Sequence, residues 1–337
     1  MTPMVRIAAL TNYLEVARHL GLNPQQQLSR VGLSLSMLEH PEQRVPITPV
    51  VSLLEESARA CGCETFGLRM AESRQLADFG VISLLISHQA TLREAINTIV
   101  QYRHMINESL ALYIDQEGKT AILREEIITV PPMPMRQGIE LAIGTLYRLC
   151  AALLGPHWRP MSVNLTHDAP ADLQVHKRLF GCKIEFGSEF NGIVIPAADL
   201  DAANPMADPA MARHARSFVD SLPGATDGST LNEVRKAIYL LLPMGRATIE
   251  QIAQSLGLNV RTLQRRLEEN GVTFSDLINE VRRELVLRYM ENPRYSLSRI
   301  ADLLGYGMPS SFTRWFTIQY GMSPAAWRRE HMGRELE

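Results

Sequence analysis

The sequence predicts an α+β N-terminal domain followed by an all-α C-terminal domain with two helix-turn-helix motifs joined by a linker helix. Three observations predict this. Helical spacing of apolar residues up to about Ile106 gives way to strand-like alternation. A polar stretch, Leu222–Thr230 (LPGATDGST), then separates two segments of different pattern. Beyond it, a helix, a glycine and a second helix occur twice within about fifty residues.

Taken in order, residues 9–20, 49–60 and 91–102 each space their apolar side chains by three and four, as amphipathic helices do. SLALYIDQEGKTAILREEI reads as a hairpin, with Leu110, Leu112 and Ile114 alternating, a turn at Gln116-Glu117-Gly118, then Ala121 and Leu123. A helix over 136–154, a strand over 162–165 and a helix over 171–180 follow. The last antiparallel pair is expected from 183–186 and 192–195, and a short helix from 209–221. This divides the chain into an N-terminal domain at 1–205, a short helix and linker at 206–230, and the double motif at 231–337.

The two copies align residue by residue. Ile252-Ala253 matches Ile300-Ala301, Leu256-Gly257-Leu258 matches Leu304-Gly305-Tyr306, and Leu263-x-Arg265-x-Leu267 matches Phe312-x-Arg314-x-Phe316. In each copy the first helix sets its apolar face at i, i+3, i+4 and i+7: Ile249, Ile252, Ala253 and Leu256, then Leu297, Ile300, Ala301 and Leu304. Glycine at 257 and 305 permits the left-handed conformation that ends such a helix. The second helix buries Val260, Leu263 and Leu267, or Phe312 and Phe316, leaving Arg261, Thr262, Gln264 and Arg265, or Ser310, Thr313 and Arg314, outward. Arg and Gln can pair with guanine and adenine edges in a major groove. Between the copies, 274–290 forms a helix of roughly 25 Å with Leu277, Val281 and Leu285 on its stripe. Such a rod spaces two reading helices about one DNA turn, ~34 Å, apart.

Arg266, Arg282, Arg283, Arg299 and Arg328-Arg329 are candidate phosphate contacts, with Asn259, Thr262 and Ser311 completing the backbone set. The alternative for each is a solvated surface charge. Overall charge is −2, which does not by itself suggest nucleic acid. From Ala225 onward, however, basic residues outnumber acidic ones 15 to 13, against 19 to 23 before it. That mild asymmetry permits DNA binding, so the case rests on where the charges lie.

The second copy, IADLLGYGMPSSFTRWFTIQYGMSPAAWRR, resembles the signature of the AraC/XylS family of bacterial transcription regulators: Ile-Ala, Gly-aromatic, Ser-x-Phe-x-Arg-x-Phe, Gly-x-Ser-Pro and a terminal aromatic-Arg. The resemblance covers about 230–329. It implies a seven-helix unit whose base-reading positions fall on Arg261, Gln264 and Arg265, and on Pro309, Ser310, Thr313 and Arg314. Pro309 stands where polar residues are common in the family, which shifts the second motif toward backbone contacts. Less sharply, the first 200 residues resemble the arabinose-binding-domain-like, non-cupin N-terminal domain of one subgroup. That likeness implies a small-molecule effector and a homodimer. The partners expected are double-stranded promoter DNA, a second copy, an effector and RNA polymerase.

Tyr102, Arg103, His104 and Asn107, a polar group at a helix end beside apolar walls, are the effector candidates. The plainer reading is a surface helix end with a satisfied histidine. A regulator that needs no ligand, its N-terminal domain serving only dimerisation or protein contacts, is the alternative function. An enzyme with an appended DNA-binding module is a second alternative, but no phosphate loop, metal motif or nucleophile elbow appears. Cys61, Cys63, Cys150 and Cys182 are too scattered for a disulfide framework, and Cys182-Lys183 alone has a basic neighbour. No catalytic residue, metal or cofactor is expected. No apolar run approaches the ~20 residues of a membrane span and no signal peptide is read, so the expected compartment is the cytoplasm.

Overall fold

The computed structural model describes residues 2–224 and 229–332. They fall into two compact units, Met1–Asp227 and Gly228–Glu337.

The N-terminal unit opens with β1 (Met4–Arg6), a 3-10 turn at Ile7–Leu10, α1 (Tyr13–His19), α2 (Pro24–Arg30) and α3 (Leu35–Leu38). The single helix expected over 9–20 is interrupted at Asn12, whose φ of 70° is left-handed, a conformation that asparagine tolerates better than most residues. β2 (Arg44–Pro46) returns to pair antiparallel with β1. Four helices follow: α4 (Ile47–Cys61), α5 (Phe66–Ala71), α6 (Ile82–Ser87) and α7 (Leu92–Ile106).

β3 (Leu110–Glu117) and β4 (Thr120–Ile127) form the expected hairpin, after which come α8 (Arg136–Leu154), β5 (Ser162–Leu165), α9 (Gln174–Phe180), β6 (Lys183–Phe186) and β7 (Gly192–Pro196). The strand order is β3-β4-β7-β5-β6. One expectation fails here: β6 does not pair with β7. It pairs in parallel with β5, because α9 carries the chain back over the sheet as a crossover, and β7 then inserts antiparallel between β4 and β5.

α8 is the central helix of this unit, packed on α4, α5, α7 and α9 and on β4 and β7. It is long and apolar enough to cross a membrane, but 67% of its apolar window is buried inside the unit. Small residues let it approach α5 closely: a Cβ on Gly67 would lie 2.0 Å from the carbonyl oxygen of Gln137, and one on Gly144 would lie 2.5 Å from Cβ of Ala71. The last helix of the unit is α10 (Pro209–Asp220), whose first turn is capped by the Asp208 carboxylate accepting from the Ala210 and Met211 amides.

The C-terminal unit consists of α11 (Thr230–Leu241), α12 (Ile249–Ser255), α13 (Val260–Glu268), α14 (Phe274–Glu291), α15 (Leu297–Leu303), α16 (Pro309–Tyr320) and α17 (Pro324–Met332). α14 is the linker helix, one residue longer than the apolar stripe implied, with Leu277, Val281, Leu285 and Tyr289 buried along it. Arg235 on α11 bridges Glu280 and Glu284 on α14. The first motif packs with leucines. The second packs with aromatic rings: Phe316 lies 5.8 Å from Phe312, 4.5 Å from Tyr320 and 6.3 Å from Trp327, centroid to centroid, and Tyr306 lies 5.9 Å from Trp315.

Candidate nucleic-acid interface

The two motifs are built by the same backbone turn. α12 ends where the Gly257 amide donates to Gln254 and the Leu258 amide to Ala253, at 3.0 and 2.8 Å. α15 ends the same way, with Gly305 donating to Asp302 and Tyr306 to Ala301, both at 2.9 Å. Each glycine has a φ of 65–70°, which completes a Schellman closure and turns the chain sharply into the next helix.

That next helix is positioned by its buried stripe. In α13, Leu263 and Leu267 are buried, so Arg261, Gln264, Arg265 and Arg266 face solvent and Thr262 is half-buried. In α16, Phe312 and Phe316 are buried, leaving Pro309, Ser310, Ser311, Thr313 and Arg314 exposed. Arg265 has a loose ion pair with Glu269 at 3.6 Å, with both side chains more than half exposed. The starts of the two helices differ. Asn259 caps α13, its Oδ1 accepting from the Thr262 amide at 2.8 Å, whereas α16 begins with Pro309 at its first turn and no side-chain cap. The Thr313 hydroxyl donates to the Pro309 carbonyl at 3.0 Å.

The expected phosphate contacts divide into two groups. Arg266, Arg283, Arg299 and Arg329 are exposed, although Arg266 reaches Thr230 and Arg283 reaches Gln319, each at 3.4 Å. Arg282 and Arg328 instead serve the fold. Arg282 Nε donates to the Leu304 carbonyl at 3.0 Å and its guanidinium covers the Tyr306 ring, while burial lowers its pKa. Arg328 donates to the carbonyls of Met290 and Tyr295, at 3.3 and 2.8 Å, and so fastens α17 to the end of α14. Helix-terminal carbonyls need donors, and a long guanidinium side chain supplies them.

Residues 21–204 match the family model described as the arabinose-binding domain of AraC transcription regulators, at the N-terminus, and residues 235–330 match a helix-turn-helix domain. The first match alone spans more than half of the chain. This chain belongs to the AraC family of transcription regulators. As an AraC-family protein it is a DNA-binding transcription regulator with an N-terminal ligand-binding type of domain. It is 29% identical to the transcriptional regulator VirS of Mycobacterium tuberculosis and 24% identical to the ornithine utilization regulator of Pseudomonas aeruginosa, each over 96% of both chains. It is 28% identical to the transcriptional activator NphR of a Rhodococcus species, over 41% of this chain and 45% of that one.

In this AraC-family chain three of the four effector candidates make contacts within the N-terminal unit and the fourth lies in a cavity wall. Tyr102 is buried and its hydroxyl donates to Asp220 at 2.5 Å; His104 Nε2 lies 3.0 Å from the Gly224 carbonyl oxygen. Both tie the end of α7 to α10 and the chain just after it. Arg103 is buried, donates to the Val100 carbonyl and has its pKa lowered by burial to about 10. Asn107 lines a cavity whose walls do not include the other three. Two residues of that cavity, Arg74 and Glu125, were missed. For Glu125 a signal existed: it continues the inward alternation of Ala121 and Leu123, so an acid falls on the core side of β4. Nothing in the sequence marks Arg74. Burial pushes the thiols of Cys61 and Cys150 up and that of Cys182 up to about 11, opposite to thiolate activation. Among the described residues, no group of His, Cys, Asp and Glu is arranged to hold a metal ion.

Proposed function

We propose that this regulator reads a promoter with both motifs of one chain, α13 and α16 lying in two successive major grooves. The supporting observation is the duplicated turn that aims a polar helix face outward twice. Arg261, Gln264 and Arg265 would read bases in one groove and Ser310, Thr313 and Arg314 in the next, with Arg266, Arg283 and Arg299 on phosphates. α14, at 18 residues, is a rod of about 27 Å, suited to motifs spaced near the ~34 Å of a DNA turn. Pro309 has no amide donor, so the second motif leans on Arg314 and on backbone contacts.

The protein acts, on this reading, as a cytoplasmic homodimer without enzymatic activity, and as an activator, as the relative NphR is named, recruiting RNA polymerase. Its N-terminal domain adjusts DNA binding by taking a small effector, through differential affinity for DNA-competent and incompetent arrangements. Hydroxyl-radical footprinting of the full-length protein on its own promoter tests the reading. Two protected patches per chain, about ten base pairs apart on one face, are expected. A single patch, or protection no stronger than on random DNA, would refute it.

A further inference from the structure

The N-terminal unit contains a half-open cavity of about 140 Å³. It lies among α4, α7, α8 and the β3–β4 hairpin, and its walls are mostly aliphatic, among them Val50, Leu54, Ile99, Leu112, Leu141 and Leu146. An apolar cavity of about 150 Å³ holds a molecule the size of benzene, and a few polar groups in such a wall set the orientation of what enters.

Arg6, Arg74, Asp78, Asn107, Glu125 and Thr145 interrupt this wall, and of these Glu125 and Arg74 keep buried atoms without a hydrogen-bond partner. Glu125 sits opposite Leu112 on the inward face of the hairpin, and its Oε2 has no hydrogen-bond partner. Burial, with Glu126 beside it, pushes its carboxyl up to about 8, so near neutral pH it is an uncharged acid able to donate and accept. Arg74 donates to the carbonyls of Ala8 and Ala9 and has its Nε left over. The full charges around the cavity are already balanced: Arg6 pairs with Glu42, and Arg74 lies 4.0 Å from Asp78. An ionised head group entering would shed its hydration without finding a free counter-charge, which is costly. A hydroxyl or carbonyl would meet the waiting carboxyl instead.

We propose that this cavity is the effector site, and that it takes an uncharged molecule with an apolar body and a single hydroxyl or carbonyl group hydrogen-bonded to Glu125. This rests on the reading above that the N-terminal domain binds an effector. Ligand occupancy would act on the contacts between α4, α7 and α8, and α7 is the helix whose Tyr102 and His104 hold α10 and the chain beyond it.

Isothermal titration of the full-length protein at pH 7 with 1-octanol, octanoate and octylamine tests it, since the three share a chain and differ in charge. Octanol is expected to saturate one site per chain and to bind at least about tenfold more tightly than either charged analogue. Glu125→Leu should lose about tenfold in octanol affinity with native circular dichroism, and Ala142→Phe, which fills the cavity, should abolish binding. If Ala142→Phe does not fold, Glu125→Leu carries the test. No saturable octanol binding, equal binding of octanoate or octylamine, or unchanged binding by Glu125→Leu would overturn the assignment. Promoter affinity measured on the same preparation separates the two claims. Recognition of the promoter without octanol binding removes the cavity assignment and leaves the DNA reading intact. Octanol binding that shifts promoter affinity less than about threefold would make the cavity a lipid pocket and refute its effector role.

Discussion

Arg282 lies over the ring of Tyr306, its guanidinium carbon 4.2 Å from the ring centroid, while its Nε donates to the Leu304 carbonyl. The contact joins the linker helix to the closing turn of α15, immediately before the second reading helix. Arg282→Gln should cost about 1–3 kcal/mol of stability of the C-terminal unit, from a lost cation–π contact and a helix-end carbonyl left without its donor. Because this guanidinium is turned inward, the slope of log affinity against log salt should not change, whereas a true phosphate contact would reduce it by about one. A salt titration of promoter binding by the folded variant checks this, and a reduced slope would return Arg282 to the DNA surface.

Arg265→Ala should cost about 1–3 kcal/mol of specific DNA affinity and relax preference at one base pair. Its exposed ion pair with Glu269 is worth little, so the melting temperature should hardly move. Leu263→Asp two positions earlier should unfold the first motif, since it buries a charge where Leu263 is now fully enclosed. Thermal melts and operator-variant binding on the same two proteins separate reading from folding.

How much of this was legible in advance depended on which physical signal carried it. The paired glycine turns stood out because Ile-Ala, Leu-Gly and the spaced apolar residues recur in register, and only one backbone closure satisfies both copies. Burial of Leu263 and Phe316 followed from spacing alone. The roles of Arg282 and Arg328 did not, because an arginine at a helix surface looks the same whether it meets a phosphate or a carbonyl twenty or more residues away. The β5–β6 pairing was hidden for a similar reason: neighbouring strands suggest a hairpin, and only the tertiary crossover through α9 shows that β6 runs parallel to β5. The contacts of Tyr102 with Asp220 and of His104 with Gly224 were equally invisible, because a polar cluster at a helix end gives no sign of partners more than a hundred residues further along.

Glu125 makes the N-terminal unit sensitive to pH. Its carboxyl is raised from the ordinary glutamate value of about 4.5 to about 8, so between those values the unfolded chain releases a proton that the folded chain keeps. Stability is therefore fully present below about pH 4.5, falls as pH rises toward 8, and loses nothing further from this group above that. Glu125→Gln keeps the shape and removes the proton, so its advantage over the parent should grow between pH 5 and pH 9. Denaturant melts at the two pH values check the sign, and an advantage that shrinks with pH would contradict it.

Gly67→Ala should destabilise the N-terminal unit by about 3 kcal/mol or more, because the new methyl group would press on the Gln137 carbonyl, which is backbone and cannot swing aside. Chemical denaturation measures this, and a loss under about 1 kcal/mol would mean that α5 and α8 can separate at little cost.

The uneven distribution of rings between the two motifs has a practical consequence. Of the three tryptophans, Trp158 belongs to the N-terminal unit, Trp315 lies on α16 of the second motif and Trp327 on α17, packed against Phe316 of that motif, with none in the first. A Trp158→Phe protein would therefore carry a built-in optical label on one half of its DNA-reading module, so that ultraviolet emission during titration with operator fragments reports when that half engages, with no dye attached.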